Sequence, residues 1–193
     1  PAEKRHQLDI VIDQVQNCQD WLNVLREYAQ CFVFPDGGAY RIVPDTTGSS
    51  VMSFDSTNMV EQTFKINKRG SRSVPTRVEV VGTDITVTPW GDFTAPANLP
   101  DAVVRRVTRV SMPGFQRYSE AYRYAVMRLN DATLNDISIQ FTAFDPALAL
   151  QVADLITVTH PVGFTSKLFR VSTIAPDSPG RWKITALEYD PAK

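Results

Sequence analysis

Apolar and polar positions alternate with period two through the last forty residues, Asp154 to Lys193. Ile156 and Val158 share one face there, while Thr157 and Thr159 take the other. Phe169 pairs with Val171, and Trp182 with Ile184 and Ala186. Pro161–Gly163 and Pro176–Gly180 separate the three runs. This pattern predicts a three-stranded antiparallel meander over 154–190. Upstream, Leu8, Ile10 and Ile12 alternate with Asp9, Val11 and Asp13, which predicts a first strand. Asn17 stands where an N-cap belongs, with Asp20 three residues on. Trp21, Val24, Leu25, Tyr28 and Ala29 then recur at helical spacing and predict an amphipathic helix with one buried stripe. Cys31–Phe34 and Ala39–Val43 flank Pro35-Asp36-Gly37-Gly38, a good hairpin turn.

The middle of the chain is patterned less evenly. Residues 58–67 and 76–81 read as strands, with Lys68 to Ser73 (KRGSRS) as a basic hairpin tip between them. From Gly82 to Pro100 the alternation weakens. Ile85, Val87 and Trp90 suggest one short strand, while GDFTAPANLP has loop composition and predicts an irregular loop. Residues 103–110 (VVRRVTRV) read as a strand. Tyr118, Ala121, Tyr122, Ala125 and Leu129 place a second helix over 117–130. Ile137, Ile139 and Phe141 alternate within a strand over 135–144, and Asp145-Pro146-Ala147 makes a turn. No repeat with a period of 20–50 residues is present.

These elements give an α+β chain, mostly antiparallel β. A small α/β subdomain (strand, helix, hairpin) is expected over 1–60. It is joined to a β-barrel-like domain over 61–193 that carries the 117–130 helix and the terminal meander. The 193 residues are enough for a real core, and 43% hydrophobic with 21% charged residues is ordinary globular composition. The net charge of −1 builds no basic field, so a dedicated nucleic-acid binder is not expected. The longest apolar runs are about four residues, as at Cys31–Phe34, too short to span a bilayer. The opening PAEKRHQ lacks the apolar core of a signal peptide. Starting on Pro and stopping at Lys193 directly after a strand, the chain reads as a piece of something longer. Cys18 and Cys31 bracket the first helix, which separates them by roughly 20 Å. That is too far for a disulfide, so both are expected as free thiols.

Candidate chemistry is sparse. His160 precedes Pro161 at a strand end and His6 lies in a charged leader; neither has a nucleophile or carboxylate partner legible nearby. The serines beside Gly48 and Gly70 are in loops, without a G-x-S-x-G elbow. Asp92, Asp101, Glu120 and Asp154 could form a glycosidase pair only at a separation that sequence does not give. Asp145 and Asp177 beside prolines are turn residues. No phosphate loop, dinucleotide fingerprint or EF-hand loop occurs. Two basic groups remain, Lys65 with Lys68, Arg69 and Arg72, and Arg105 with Arg106 and Arg109. They suit solvated loops and inter-subunit ion pairs better than nucleic acid, because the aromatics that interleave in single-strand binders are missing beside the arginines. Trp90 and Phe93 are aromatics in a flexible setting. They would anchor a neighbouring subunit or cap their own domain. The expected interface residues are therefore Trp90, Phe93, Arg105, Arg106 and Arg109.

The order of these elements carries a resemblance. W-L-N-V-L-R-E-Y-A (21–29), the D-G-G turn with R-I-V-P-D (41–45), S-V-P-T-R-V-E-V (73–80) and S-E-A-Y-R-Y-A-x-x-R-L-N (119–130) follow one another. A D-L-I-x-V strand (154–158) and the closing I-T-A-L-E-Y-D-P (184–191) complete the series. Together they resemble hub domains of phage tail tip proteins, the family of the central tail-tip attachment protein of lambda-like phages. The resemblance covers residues 8 to 191. One departure is Val152-Ala153-Asp154 where the family usually has Pro-Gly-Asp, so the turn there is expected to be made differently.

The resemblance implies a structural virion protein, made in the bacterial cytoplasm and built into the tail. It would form a trimeric ring that closes the tail tube and links it to host-recognition parts. The implied partners are further copies of itself, other tail proteins and, through a longer parent chain, a host-surface receptor. It carries over no catalytic, cofactor-binding or metal-ligating residue. Two alternatives stay open: a carbohydrate-binding β module, for which Trp90 and Phe93 are the place to look, and a cell-wall hydrolase domain.

Overall fold

In the computed structural model the described residues are 7–8, 10, 12, 15–36, 38–100, 103 and 106–193. They form an α+β fold with two α-helices and eleven strands, β1 to β11 in chain order. No helix among them is long and apolar enough to cross a membrane. The chain divides into two compact units that interleave along the sequence. The first comprises 1–45, 72–133 and Lys193; the second comprises 46–71 and 134–192. The sequence-based division at residue 60 therefore does not follow these units, because the long-range pairings of 52–68 are with strands beyond residue 134.

In the first unit, α1 (Cys18–Ala29) begins where expected. The Asn17 side chain accepts from the Gln19 N–H at 3.2 Å. It ends at Gln30, whose left-handed backbone returns its N–H to the carbonyls of Arg26 and Glu27. β1 (Cys31–Asp36) and β2 (Ala39–Pro44) form the predicted hairpin, Cys31 opposite Pro44. The expected first strand is not formed at Leu8, Ile10 or Ile12, while Asp9, Val11 and Asp13 lie outside the described residues.

A three-stranded sheet follows, ordered β6-β5-β7. β5 (Arg77–Asp84) is central, antiparallel to β6 (Gly91–Asn98) and parallel to β7 (Val107–Ser111). The loop expected at GDFTAPANLP is thus mostly strand. Phe93, Ala95 and Ala97 alternate toward the core, with Ala95 and Ala97 fully buried. Pro96 is tolerated because β6 is an edge strand and needs no second ladder partner. Nor are 58–67 and 76–81 a hairpin around KRGSRS. β4 (Lys65–Lys68) and β5 belong to different sheets, and a 3₁₀ turn at Ser71–Ser73 lies between them. The strand expected over 58–67 is confined to β4 and an isolated bridge from Met59 to Ala143.

The second helix, α2 (Tyr118–Leu134), buries Ala121, Tyr124, Ala125 and Leu129 against Val78, Val80, Ala95 and Ala97 in one core.

The second unit is a six-stranded sheet ordered β3-β9-β10-β11-β8-β4. β3 (Met52–Phe54) runs parallel to β9 (Leu155–His160); the other pairs are antiparallel. β10 (Phe164–Ser178) and β11 (Arg181–Glu188) complete the predicted meander, and β8 (Ile137–Phe144) joins it. Among the described residues no ladder connects β3 to β4, and the six strands form a mixed sheet in which no closed barrel is detected. Ile156, Val158, Phe169, Val171, Ile184 and Ala186 face one buried core, as their alternation requires.

The departure at 152–154 is now placed. Ala153 holds φ at 74°, the left-handed conformation glycine adopts without strain, while its N–H donates to Val171 O at 2.9 Å.

Candidate functional site

The predicted interface residues have different surroundings. The Phe93 ring is half-buried, lies over Gly82 and meets the Tyr118 ring at 6.2 Å, so it caps its own core. Arg106 is spent on the backbone. Its Nε donates to Val74 O at 2.6 Å, and its carbonyl accepts from the N–H groups of Thr76 and Arg77. Arg105 lies outside the described residues. Arg109 is exposed on β7, whose outer edge carries no strand partner among the described residues. Trp90 is 71% exposed, in the turn between β5 and β6. Sequence reasoning thus grouped two surface side chains with two internal ones. The signal that separates them is position: Phe93 and Arg106 share a strand face or strand start with core residues, whereas Trp90 sits in a turn.

Trp90 stands on the rim of an open groove of about 890 Å³ in the first unit. The α1 wall contributes Trp21, Asn23, Arg26 and Glu27. The β5 end and its turn add Thr83, Ile85 and Trp90; the segment after β7 adds Met112, Pro113 and Gln116. Trp21 was legible only as part of a buried helical stripe, and the approach of Gln116 and Asn23 left no sequence signal. Most of the groove surface is apolar, with amide, hydroxyl and one pair of opposite charges around it.

The floor of this unit is fixed by aromatics. The Gly114 N–H donates to the Tyr28 hydroxyl at 3.0 Å, and the Tyr28 ring meets Phe115 edge-on at 5.0 Å. Burial raises the Tyr28 phenol above its ordinary 10.0, with the Gly114 N–H opposing. The Cys31 thiol is likewise raised by burial, against the lowering effect of Arg26, and both cysteines are free.

A second exposed feature is the β1–β2 ribbon. Opposed pairs Val33 with Ile42 and Pro35 with Tyr40 share one face. Ile42 is 65% and Tyr40 58% exposed on it. The other face is turned inward with Phe32, Phe34 and Val43 half-buried, and the Arg41 guanidinium lies 5.9 Å from the centre of the Phe34 ring.

The other candidates have structural duties. His160 stacks on Phe64 at 4.1 Å and 15°, and its Nδ1 accepts from the Val162 N–H at 3.3 Å. The Asp154 carboxylate accepts from the Gln151 N–H at 2.8 Å, closing a turn. Glu120 is buried on α2 and Asp92 is exposed on β6; Asp101 and His6 lie outside the described residues. Among the described residues no three His, Cys, Asp or Glu side chains gather to hold a metal ion.

Comparison with solved structures places this fold. The virion of a native gene transfer agent particle contains a chain that superposes with a TM-score of 0.72 at 14% identity, over 90% of this chain and 39% of that one. The 43 kDa tail protein of prophage MuSo2 from Shewanella oneidensis gives 0.63 at 12%, over 95% and 57%. Prophage tail protein gp18 from Listeria monocytogenes EGD-e gives 0.56 at 11%, over 90% and 53%. The chain therefore spans between 39% and 57% of the length of these relatives in fold. No curated protein matches it in sequence. The model of the family described as "Putative phage tail protein" matches residues 17–174, so the chain belongs to that family of phage tail proteins.

Proposed function

We propose that this chain is an assembly module of a phage or prophage tail tip, part of the hub that closes the tail tube. It works as one of three copies in a ring, in the virion, and joins the tube to host-recognition parts. Membership of the phage tail protein family over residues 17–174 carries the reading. The surface supports it. A two-stranded ribbon with Tyr40 and Ile42 outward, and β7 with Val107 and Arg109 exposed along an open edge, are features a neighbouring subunit would cover. Arg109 remains an interface candidate among the residues singled out from sequence. The function is structural rather than catalytic.

Light scattering over a concentration series, on this chain and on a version extended at both ends, tests the ring. The expected result is a trimer in at least one of them, broken by Ile42→Asp together with Arg109→Glu. Monomers of both at every concentration overturn the reading.

A further inference from the structure

We infer that the groove beside Trp90 is a binding site for a neutral oligosaccharide. Its volume, about 890 Å³, lies in the range of ligand pockets, and pockets of that kind combine a mainly apolar lining with a few polar groups. Two indoles, Trp21 and Trp90, belong to it, and Trp90, 71% exposed, leaves its ring accessible to a ligand. The polar groups are of a particular kind. Asn23 and Gln116 each offer both a donor and an acceptor. Arg26 and Glu27 bring one charge of each sign, and Glu27 is already engaged, accepting the Tyr124 hydroxyl and standing 3.8 Å from Arg128. A sugar ring presents an apolar C–H face and a rim of hydroxyls that both donate and accept. That is the complement of indole faces bordered by amides.

The site lies within one unit and does not rest on ring assembly. It makes Trp90 a ligand contact rather than a subunit contact.

The test titrates the whole chain with maltotriose, cellotriose and N,N′,N″-triacetylchitotriose in turn. Indole fluorescence and amide chemical shifts give the readout. At least one trisaccharide is expected to saturate, with shifts confined to α1, the β5–β6 turn and residues 111–116. Trp90→Ala should weaken that binding about tenfold or more, and Asn23→Ala or Gln116→Ala by a smaller factor. Trp182→Phe, in the second unit, should leave it unchanged; Trp90 is exposed enough that its loss spares folding. No response to any of the three at about 10 mM overturns the proposal, as does Trp90→Ala binding as well as the parent. Trp90 emission that follows protein concentration but not sugar also overturns it, and assigns the groove to a second copy. Masses measured on the same samples keep the two readings apart: a monomer that binds sugar sinks only the ring.

Discussion

The Tyr124 hydroxyl donates to Glu27 Oε2 at 2.6 Å, tying α2 to α1 from opposite ends of the first unit's sequence. Arg128 stands on the same carboxylate, its Nη1 3.8 Å from Oε2 and its guanidinium 5.8 Å from the centre of the Tyr124 ring. Burial raises the Tyr124 phenol well above its ordinary 10.0, and the hydrogen bond to Glu27 raises it further, against the nearby Arg128.

That shift has a direction in pH. A phenol whose folded pKa exceeds its unfolded value keeps its full stabilisation below about pH 10 and loses it as pH climbs through the folded value. Stability should therefore fall above pH 10, with Tyr28 contributing in the same direction. Tyr124→Phe should cost about 1–3 kcal/mol at neutral pH, through the lost bond to a charged acceptor, and flatten the alkaline decline. Urea melts between pH 7 and 11.5 decide it: an unchanged slope in the variant removes Tyr124 as the cause.

Ala153→Gly should stabilise the protein. A non-glycine residue at φ 74° carries roughly 1 kcal/mol or more of backbone strain, which glycine removes at some cost in unfolded-chain entropy. The loss of a buried methyl group offsets part of the gain, so a net rise of about 0.5 kcal/mol is expected. A lower melting temperature for the variant would count against strain at this turn.

Gly82→Ala should cost about 1–3 kcal/mol, because its Cβ would meet the Phe93 ring and, at 2.5 Å, the backbone oxygen of Phe115. Gly70→Ala is the control, with nothing within 4 Å of the added carbon, and should stay within about 0.5 kcal/mol of the parent. Equal melting curves for the two variants would mean that the Phe93 cap moves freely.

At the β5–β6 turn, Asp84 Oδ1 accepts from the Thr86 hydroxyl at 2.6 Å and the Thr86 N–H at 2.8 Å. The hydroxyl first, and then the amide, hold the Asp84 carboxyl below its ordinary 3.8. Its contribution is present above that ordinary value and lost as pH falls through the lowered one. Carboxyl titration by NMR should find Asp84 shifted down, and Thr86→Val should move it most of the way back. A Thr86→Val titration that overlays the parent would assign the shift elsewhere.

Much of the fold could be read from period. The meander and both helices were legible because each buries one face, and burial writes itself as alternation at 2 or 3.6, while the hairpin was legible from its Pro35-Asp36-Gly37-Gly38 turn. Ile184 and Ala186 were grouped on one face on that basis and are fully buried. The failures have separate causes. β6 was hidden by composition, since Ala95 and Ala97 give the inward face with methyl groups too small to register as apolar, and Pro96 argues against a strand unless the strand is an edge. The KRGSRS segment was misread because a turn sequence says that the chain bends, not which sheet it leaves. The groove was the least legible part. It gathers Trp21, Trp90 and Gln116 from three separate stretches, and only tertiary packing defines it.

The interleaving of the two units also sets an order of events at the ribosome. Strands β3 and β4 emerge early but pair only with β9 and β8, which are translated some 70 to 100 residues later. The first unit's main elements are complete by residue 133, so it can close while 46–71 still waits as an unpaired segment within the growing chain. A nascent chain arrested there would display two strand edges with no partner. Synthesis of residues 134–192 is what removes that exposure, so the arrival of the meander is the step that covers both edges.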